Sequence, residues 1–517
     1  MSYSPDTTCG AARATAERIG DRVALIENGK SWTFAEVYRD AREAASAFLA
    51  RGIKKGDVVG VWAPNCREWI IATLGVHMTG AAITPLNTRL KGREAGDILR
   101  RSRTKILVCT EKFLGFDFPS MIKDEDLPDL KELVVIDREG NGGWDAFIAS
   151  GKGADDPAVD EAESKVTPDD LSDIMFTSGT TGSPKGVLHT HGSVVPNFRS
   201  WANRVGLREG DRYLIVNPFF HTFGYKAGWV CALSMGATIL PMAVFDVESL
   251  ATIIERDKVS FIPGPPTIYQ SLLAGLAGQK RDFSSLRVAV TGAAPVPPVL
   301  VERMRGELGM ENVVNGYGMT ECGAIAMTCQ GDSAETVANT CGKALDGLEL
   351  RCVDDDGKDV PAGTAGEILV RGPWVMKGYL DDPKSTAETI DADGWLHTGD
   401  VGTLDENGYL RITDRKKDMY ISGGFNCYPA EIEKLLSAHP AIEVAAVIGV
   451  PDERMGEVGK AFVVLRPGAK AETADIIGWA RENMANYKVP RFVEFVSDLP
   501  RNAGGKVLRM ALRETAA

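Results

Sequence analysis

Cysteine is sparse and unpatterned in this chain: nine in 517 residues, with no CxxC pair, no metal-ligand spacing and no small secreted framework. Such usage predicts reduced thiols in a cytoplasmic protein rather than a disulfide scaffold or a structural zinc site. Positive charge is also short. With 58 Lys+Arg against 71 Asp+Glu, the net charge of −13 argues against a dedicated nucleic-acid binder or a polybasic membrane protein. The first 25 residues hold Asp6, Arg13, Glu17, Arg18, Asp21 and Arg22 and no apolar run, so no secretory signal is expected. Clean membrane spans are lacking too. Trp69–Thr88 and Ala227–Phe245 are uncharged, but each breaks at a glycine, Gly80 or Gly236, before a short β-type run that ends at Pro85 or Pro241. Both read as helix, glycine, buried strand, and no integral membrane segment is expected.

The length fits two to four domains, and 44% hydrophobic with 25% charged residues is the balance of a globular chain. The repeated helix–glycine–strand unit predicts two similar α/β layers, since no fixed short period recurs. Gly153–Asp170, rich in Asp155, Asp156, Asp160, Glu161, Glu163, Asp169 and Asp170, reads as a polar surface connection between them.

Asp173–Phe176 is a short apolar strand that runs into Thr177, Ser178, Gly179, Thr180, Thr181, Gly182, Ser183, Pro184, Lys185 and Gly186. Glycine backbone, hydroxyls and an ammonium in ten positions can gather donors around phosphate oxygens. The spacing is not that of an ordinary P-loop, and taken alone the string could be a flexible turn. Downstream, Tyr317-Gly318-Met319-Thr320-Glu321 offers an aromatic face, a hydroxyl and a carboxylate, or else a turn entering a helix capped by Thr320. Val288–Gly292 reads as a buried strand ending in the small residues Gly292, Ala293 and Ala294. Asp400 closes Trp395-Leu396-His397-Thr398-Gly399-Asp400, and a carboxylate there can accept from two hydroxyls or simply serve a turn.

These segments together resemble the AMP-forming adenylating superfamily of acyl-CoA synthetases, luciferases and adenylation domains, and the likeness spans nearly the whole chain. The resemblance implies an α/β fold: a large N-terminal domain of stacked α/β subdomains, residues 1–416, and a small α+β C-terminal domain on a hinge, residues 417–517. It implies that residues 177–185 hold phosphates, that Gly292, Ala293 and Ala294 border the adenine and the acyl pocket, and that Tyr317 lies on adenine. Thr320 then contacts the α-phosphate, Glu321 helps hold Mg²⁺, and Asp400 accepts both ribose hydroxyls.

The strand at 409–413, which includes Ile412, leads into five consecutive charges, Asp414-Arg415-Lys416-Lys417-Asp418. That run is either a solvated turn or, by the resemblance, the hinge, with Ile412 and Arg415 at the nucleotide and Lys417 at the pivot. The Gly423-Gly424 hairpin would line a channel for a pantetheine thiol. Pro429–Leu436 and Thr473–Tyr487 read as helices, and Val444–Val450, Ala461–Leu465 and Phe492–Val496 as strands. Lys506, in Pro500-Arg501-Asn502-Ala503-Gly504-Gly505-Lys506, matches the family's catalytic lysine, where an ammonium meets both the carboxylate and the α-phosphate.

The implied reaction forms acyl-adenylate and pyrophosphate from a carboxylic acid and ATP, then passes the acyl group to CoA and releases AMP. Asn217–Lys226 resembles the acyl-pocket segment, in which His221 gates or lines the site; it holds no acidic residue for an amino group. Lys226 either meets a polar group of the acid or points outward along its stem. The expected acid is a medium- or long-chain fatty acid or a steroid-ring propionate. Transfer to a carrier protein, and a non-catalytic sensor of ATP or acyl-adenylate, are the alternatives; a homodimer is an open expectation.

Overall fold

A computed structural model describes residues 3–137, 139–140, 142–178, 184–275, 281–292, 296–354, 356–415, 420–427, 429–500, 507, 509 and 512–513, with backbone alone at 178, 413–415, 426, 430 and 434. The chain divides into two compact units, one of residues 1–88, 99–175 and 186–413 and the other of 89–98, 176–185 and 414–517.

In the first unit, five neighbouring parallel strands form the middle of a nine-stranded sheet: Thr238–Pro241, Arg212–Ile215, Phe261–Pro263, Val288–Gly292 and Asn312–Met319. The last of these turns back antiparallel into Gly323–Met327. A second sheet of seven strands is built around Val58–Trp62, Ala82–Pro85, Ile106–Cys109 and Glu132–Val135, all parallel, with Leu171–Ser178 beside Ala82–Pro85. Val58–Trp62 is buried at every position, as an unbroken apolar run in a parallel sheet covered on both faces should be. A smaller antiparallel sheet contains Glu349–Val353, Gly366–Arg371, Leu396–Leu404 and Leu410–Arg415.

Both uncharged stretches fold as helix, glycine, strand. Helix Arg67–Met78 buries every residue from Trp69 onward, Gly80 takes φ +76°, and Ala82–Pro85 enters the seven-stranded sheet. The second copy runs through wider π-type turns at Tyr225–Val230, then Cys231–Met235, Gly236 at φ +75° and Thr238–Pro241. Positive φ is the reason glycine ends both helices. Among the described residues, no helix is long and apolar enough to cross a membrane.

The acidic segment 153–170 differs from the expected surface connection. It contains the helix Pro157–Glu163, started by Asp156, whose carboxylate accepts from Ala158 N and from the Ser46 hydroxyl. Glu163 is buried, and its carboxylate takes the Tyr38 hydroxyl at 2.9 Å and Arg13 Nη1 at 3.3 Å. These partners lie more than a hundred residues upstream, so local composition could not announce the burial.

One carboxylate in this unit works against the fold at neutral pH. Glu27, on strand Val23–Glu27, accepts from Arg67 N, yet burial and then the neighbouring Glu68 charge push it from 4.5 to about 7. The folded chain therefore binds more protons than the unfolded chain between pH 4.5 and about 7, and stability falls as pH rises through that window. Glu27→Gln keeps the acceptor and removes the charge. Its stability relative to the parent should improve by about 3 kcal/mol between pH 4.5 and pH 8. Thermal unfolding at the two pH values checks this, and an unchanged difference would contradict it.

The second unit contains an antiparallel sheet in the order Phe425–Cys427, Tyr420–Ser422, Gly456–Leu465, Ile442–Asp452, with Phe492–Phe495 added parallel to Gly456–Leu465. Helices Pro429–Leu436 and Thr473–Asn483 close its core through Ile432, Leu436, Ile476 and Ala480. The second helix stops short of the expected Tyr487 because Met484 turns to extended backbone, φ −145°, ψ 162°, and buries there.

Candidate active site

Tyr317 and Asp400, 83 residues apart, meet: the Tyr317 hydroxyl donates to Asp400 Oδ2 at 2.6 Å. Tyr317 sits near the end of strand Asn312–Met319 and is 8% exposed. Asp400 lies mid-strand in Leu396–Leu404, next to the strand Leu410–Arg415 that carries Ile412. Cys341 N donates to the Leu410 carbonyl at 2.7 Å on the strand that carries Ile412; burial, and then the Asp400 charge, push its thiol up to about 11.

Glu321 is held from another direction. Tyr379 donates its hydroxyl to Glu321 Oε1 at 2.9 Å, and Met376 N bonds the Glu321 carbonyl at 2.7 Å. Tyr379 in turn pairs with Val187 in strand Pro184–Thr190, which leads out of the 179–183 segment. Thr320 and Glu321 occupy the turn between the antiparallel strands Asn312–Met319 and Gly323–Met327, so the alternative of a helix capped by Thr320 is excluded. Among the described residues no group of three His, Cys, Asp or Glu could enclose a metal. A single carboxylate at Glu321 nevertheless fits Mg²⁺, which keeps waters and takes one or two carboxylates together with substrate phosphates.

The glycines of these motifs answer to the sheet as much as to any ligand. A Cβ on Gly292 would lie 2.7 Å from the Gly316 carbonyl oxygen, and one on Gly318 2.3 Å from that of Gly323. In the second unit Gly423 and Gly424 take φ +57° and +83° in the tight turn between Tyr420–Ser422 and Phe425–Cys427, a conformation that requires glycine or asparagine.

His221 is exposed, and its Nδ1 accepts from Phe223 N at 3.3 Å, which places the ring hydrogen on Nε2. Among the described residues it makes no hydrogen bond to Tyr317, Glu321 or Asp400. Thr177 and Lys185 are half-buried at the strand ends that flank 179–183. Gly179, Thr180, Thr181, Gly182, Ala293, Ala294, Lys417 and Lys506 lie outside the described residues, as do the side chains of Ser178 and Arg415.

Lys226 follows neither expected course. It is 1% exposed, with Nζ 2.8 Å from Asp173 Oδ1, and the same oxygen lies 3.1 Å from His189 Nδ1. An ammonium buried this deeply is tolerable only beside a carboxylate. Asp173 stays ionised, since Lys226 and His189 outweigh its burial and hold it well below the usual carboxylate range. Asp173 sits in an otherwise apolar strand and Tyr379 belongs to no motif, so nothing local in the sequence marks either.

Residues 12–380 match the model of the AMP-binding enzymes, and residues 431–506 that of the AMP-binding enzyme C-terminal domain. The chain belongs to the AMP-binding enzyme family. Over 525 residues it is 47% identical to the 3-[(3aS,4S,7aS)-7a-methyl-1,5-dioxo-octahydro-1H-inden-4-yl]propanoyl:CoA ligase of Rhodococcus jostii strain RHA1, covering 99% of both chains. The ligase of the same name from Mycobacterium tuberculosis H37Rv is 50% identical over 499 residues, 96% of each. Among solved structures, a double mutant of o-succinylbenzoate CoA synthetase from Bacillus subtilis, bound with its product analogue, superposes with a TM-score of 0.83 at 31% identity and 98% coverage of both chains.

Proposed function

We propose that this chain is an AMP-forming acid–CoA ligase whose acid is a propionate borne on a fused, ketone-bearing ring system of the kind named for its two full-length relatives. The observation that carries the reading is that likeness, 47% and 50% identity over essentially whole chains, together with the pairing of Tyr317 with Asp400.

In the first step a carboxylate oxygen of the acid attacks the α-phosphorus of ATP, the bond to the β-phosphate oxygen breaks, and pyrophosphate leaves. Tyr317 offers its ring to adenine, Asp400 accepts from the ribose hydroxyls, and Thr320 donates to the α-phosphate. Residues 177–185 hold the outer phosphates, with Arg415 and Ile412 at the nucleotide. Glu321 would hold Mg²⁺, which supplies charge neutralisation for the phosphates. Lys506 brings its ammonium to the acid and the α-phosphate as negative charge gathers there. In the second step the thiol of CoA attacks the acyl carbon, gives up its proton and expels AMP. Little covalent chemistry falls to the protein, so rate comes from alignment and charge.

The C-terminal domain expected from the sequence, residues 417–517 with Lys506, is read as turning about Lys417 between the steps, after which Gly423 and Gly424 line the path of the thiol. His221 lines the acyl pocket. The cytoplasm is the assigned compartment, in keeping with nine free thiols, and a homodimer is the assembly to test.

The test supplies Mg-ATP, CoA and a panel of acids, namely the ring propionate, octanoate and palmitate, and follows AMP, ADP and pyrophosphate. AMP and pyrophosphate should accumulate only when acid and CoA are both present, with kcat/KM for the ring propionate at least about tenfold above that for octanoate, the scale of a shape-selective pocket. A preference for octanoate would reassign the acid to the fatty class, and ADP as product would reject the reaction.

A further inference from the structure

One lysine of the second unit lies buried between two carboxylates. Lys488 is 4% exposed and donates to Glu431 Oε1 at 2.6 Å and to Glu94 Oε1 at 2.9 Å. One carboxylate already balances a buried ammonium, so the second leaves excess negative charge out of water, at a cost in stability. The two acids differ in where they sit along the chain. Glu431, on helix Pro429–Leu436, falls with Lys488 in the C-terminal domain expected from the sequence. Glu94 stands 394 residues before Lys488, in the first turn of helix Gly92–Arg101. Its Oε2 accepts from Lys91 N at 2.9 Å, so this carboxylate is held in place without the lysine. Residues 89–98 belong to the second unit, although the chain on both sides of them belongs to the first.

The same lysine is joined to the glycine hairpin. Tyr487, next to Lys488, stacks its ring on that of Phe425, with centroids 4.6 Å apart and planes 20° apart, and the Cys427 thiol donates to the Tyr487 carbonyl at 3.1 Å. Phe425 directly follows Gly424 and begins the second strand of the hairpin. The segment that carries Glu94 reaches this ring as well, since the Arg89 guanidinium carbon lies 5.0 Å from the Phe425 centroid. Residues 89–94 thus grip the hairpin at Phe425 and the lysine beside Tyr487.

We propose that Glu94 and Lys488 form a releasable latch that positions the Gly423-Gly424 hairpin for thioester formation. The proposal rests on the ligase reading above, in which residues 417–517 turn about Lys417 between the steps and the hairpin lines the path of the thiol. With the latch closed, residues 89–98 hold the hairpin in place while the thiol attacks. When residues 417–517 turn for adenylate formation, Lys488 leaves with Glu431 and Glu94 stays with Lys91 N. The ammonium keeps a carboxylate in either arrangement, and this is the use of the second acid. Neither Glu94 nor Lys488 touches substrate; both act through the hairpin.

The test grades the charge at position 94. Glu94→Gln keeps an acceptor for Lys91 N and removes the charge that faces Lys488, whereas Glu94→Lys turns attraction into repulsion. Thioester formation from supplied acyl-adenylate and CoA should fall at least about fivefold in Glu94→Gln and at least about fiftyfold in Glu94→Lys, since a charge-assisted bond is about twice as strong as a neutral one and like charges oppose closure. Acid-dependent ATP–pyrophosphate exchange should stay within about twofold of the parent in both. A pair that only stabilised the fold would lower the two half-reactions together. Parent-like thioester formation in Glu94→Lys, or equal losses in both half-reactions, would overturn the latch. If neither variant folds, Glu431→Gln leaves Lys488 with Glu94 as its carboxylate and should hold the latch shut. Exchange then falls at least about threefold with thioester formation kept, and a parent-like exchange rate refutes the proposal. Absence of exchange in the parent with every acid rejects the ligase reading itself, which separates the two failures.

Discussion

Replacing Lys506 with alanine should lower acyl-adenylate formation by about a thousandfold while leaving thioester formation from supplied acyl-adenylate and CoA within a fewfold of the parent. The size follows from what a single preorganised donor contributes to a charge-developing transition state, roughly 10²–10³ in rate for a neutral donor and more for an ammonium. The asymmetry is the stronger part of the expectation. A lysine that only stabilised the fold would lower both half-reactions in proportion to the folded fraction. Single-turnover measurement of each half-reaction distinguishes the cases, and equal losses would remove Lys506 from the chemistry.

Asp400→Ala should raise the KM for ATP about a hundredfold, with the melting temperature little changed. In the proposed role the carboxylate accepts two ribose hydroxyls, each such bond worth about 1.5–3 kcal/mol, so losing both costs about 3 kcal/mol or more, a hundredfold at the least. The Tyr317 hydroxyl, now 2.6 Å from Asp400 Oδ2, would lose its acceptor as well. Tyr317→Phe keeps the ring for adenine and the carboxylate for ribose, so it should cost only a fewfold in the same constant. ATP titration of the exchange rate checks the ordering, and an Asp400→Ala enzyme with parent affinity for ATP would place the ribose elsewhere.

The elements most legible in sequence were those whose signal is local. Helix, glycine at positive φ and buried strand could be read at Trp69–Thr88 because ten consecutive buried residues and a left-handed turn leave an unmistakable composition. The meeting of Tyr317 with Asp400 was legible only through the family resemblance, since 83 residues separate them. What escaped was long-range and polar. Glu163 looked like a solvated acid until Tyr38 and Arg13 enclosed it, and Lys226 looked like a pocket or surface residue until Asp173 proved to be its partner. Tyr379 could not be found at all, because an isolated tyrosine acquires meaning only when strand pairing with Val187 aims it at Glu321. The Gly423-Gly424 hairpin is legible because a two-residue turn with both residues left-handed favours glycine at each position.

The sulfur atoms around the site bear on a hazard of this chemistry. An enzyme that makes a mixed anhydride and offers it to a thiol must keep that anhydride from its own side chains. Cys322, next to Glu321, is buried and pushed up to about 12, and burial, then the Asp400 charge, push Cys341 up to about 11. At neutral pH both remain almost wholly protonated, and the thiolate is the nucleophile. Burial thus keeps both thiols in the form that does not attack an acyl carbon, and under the proposed reaction the thiol of CoA is then the sulfur nucleophile.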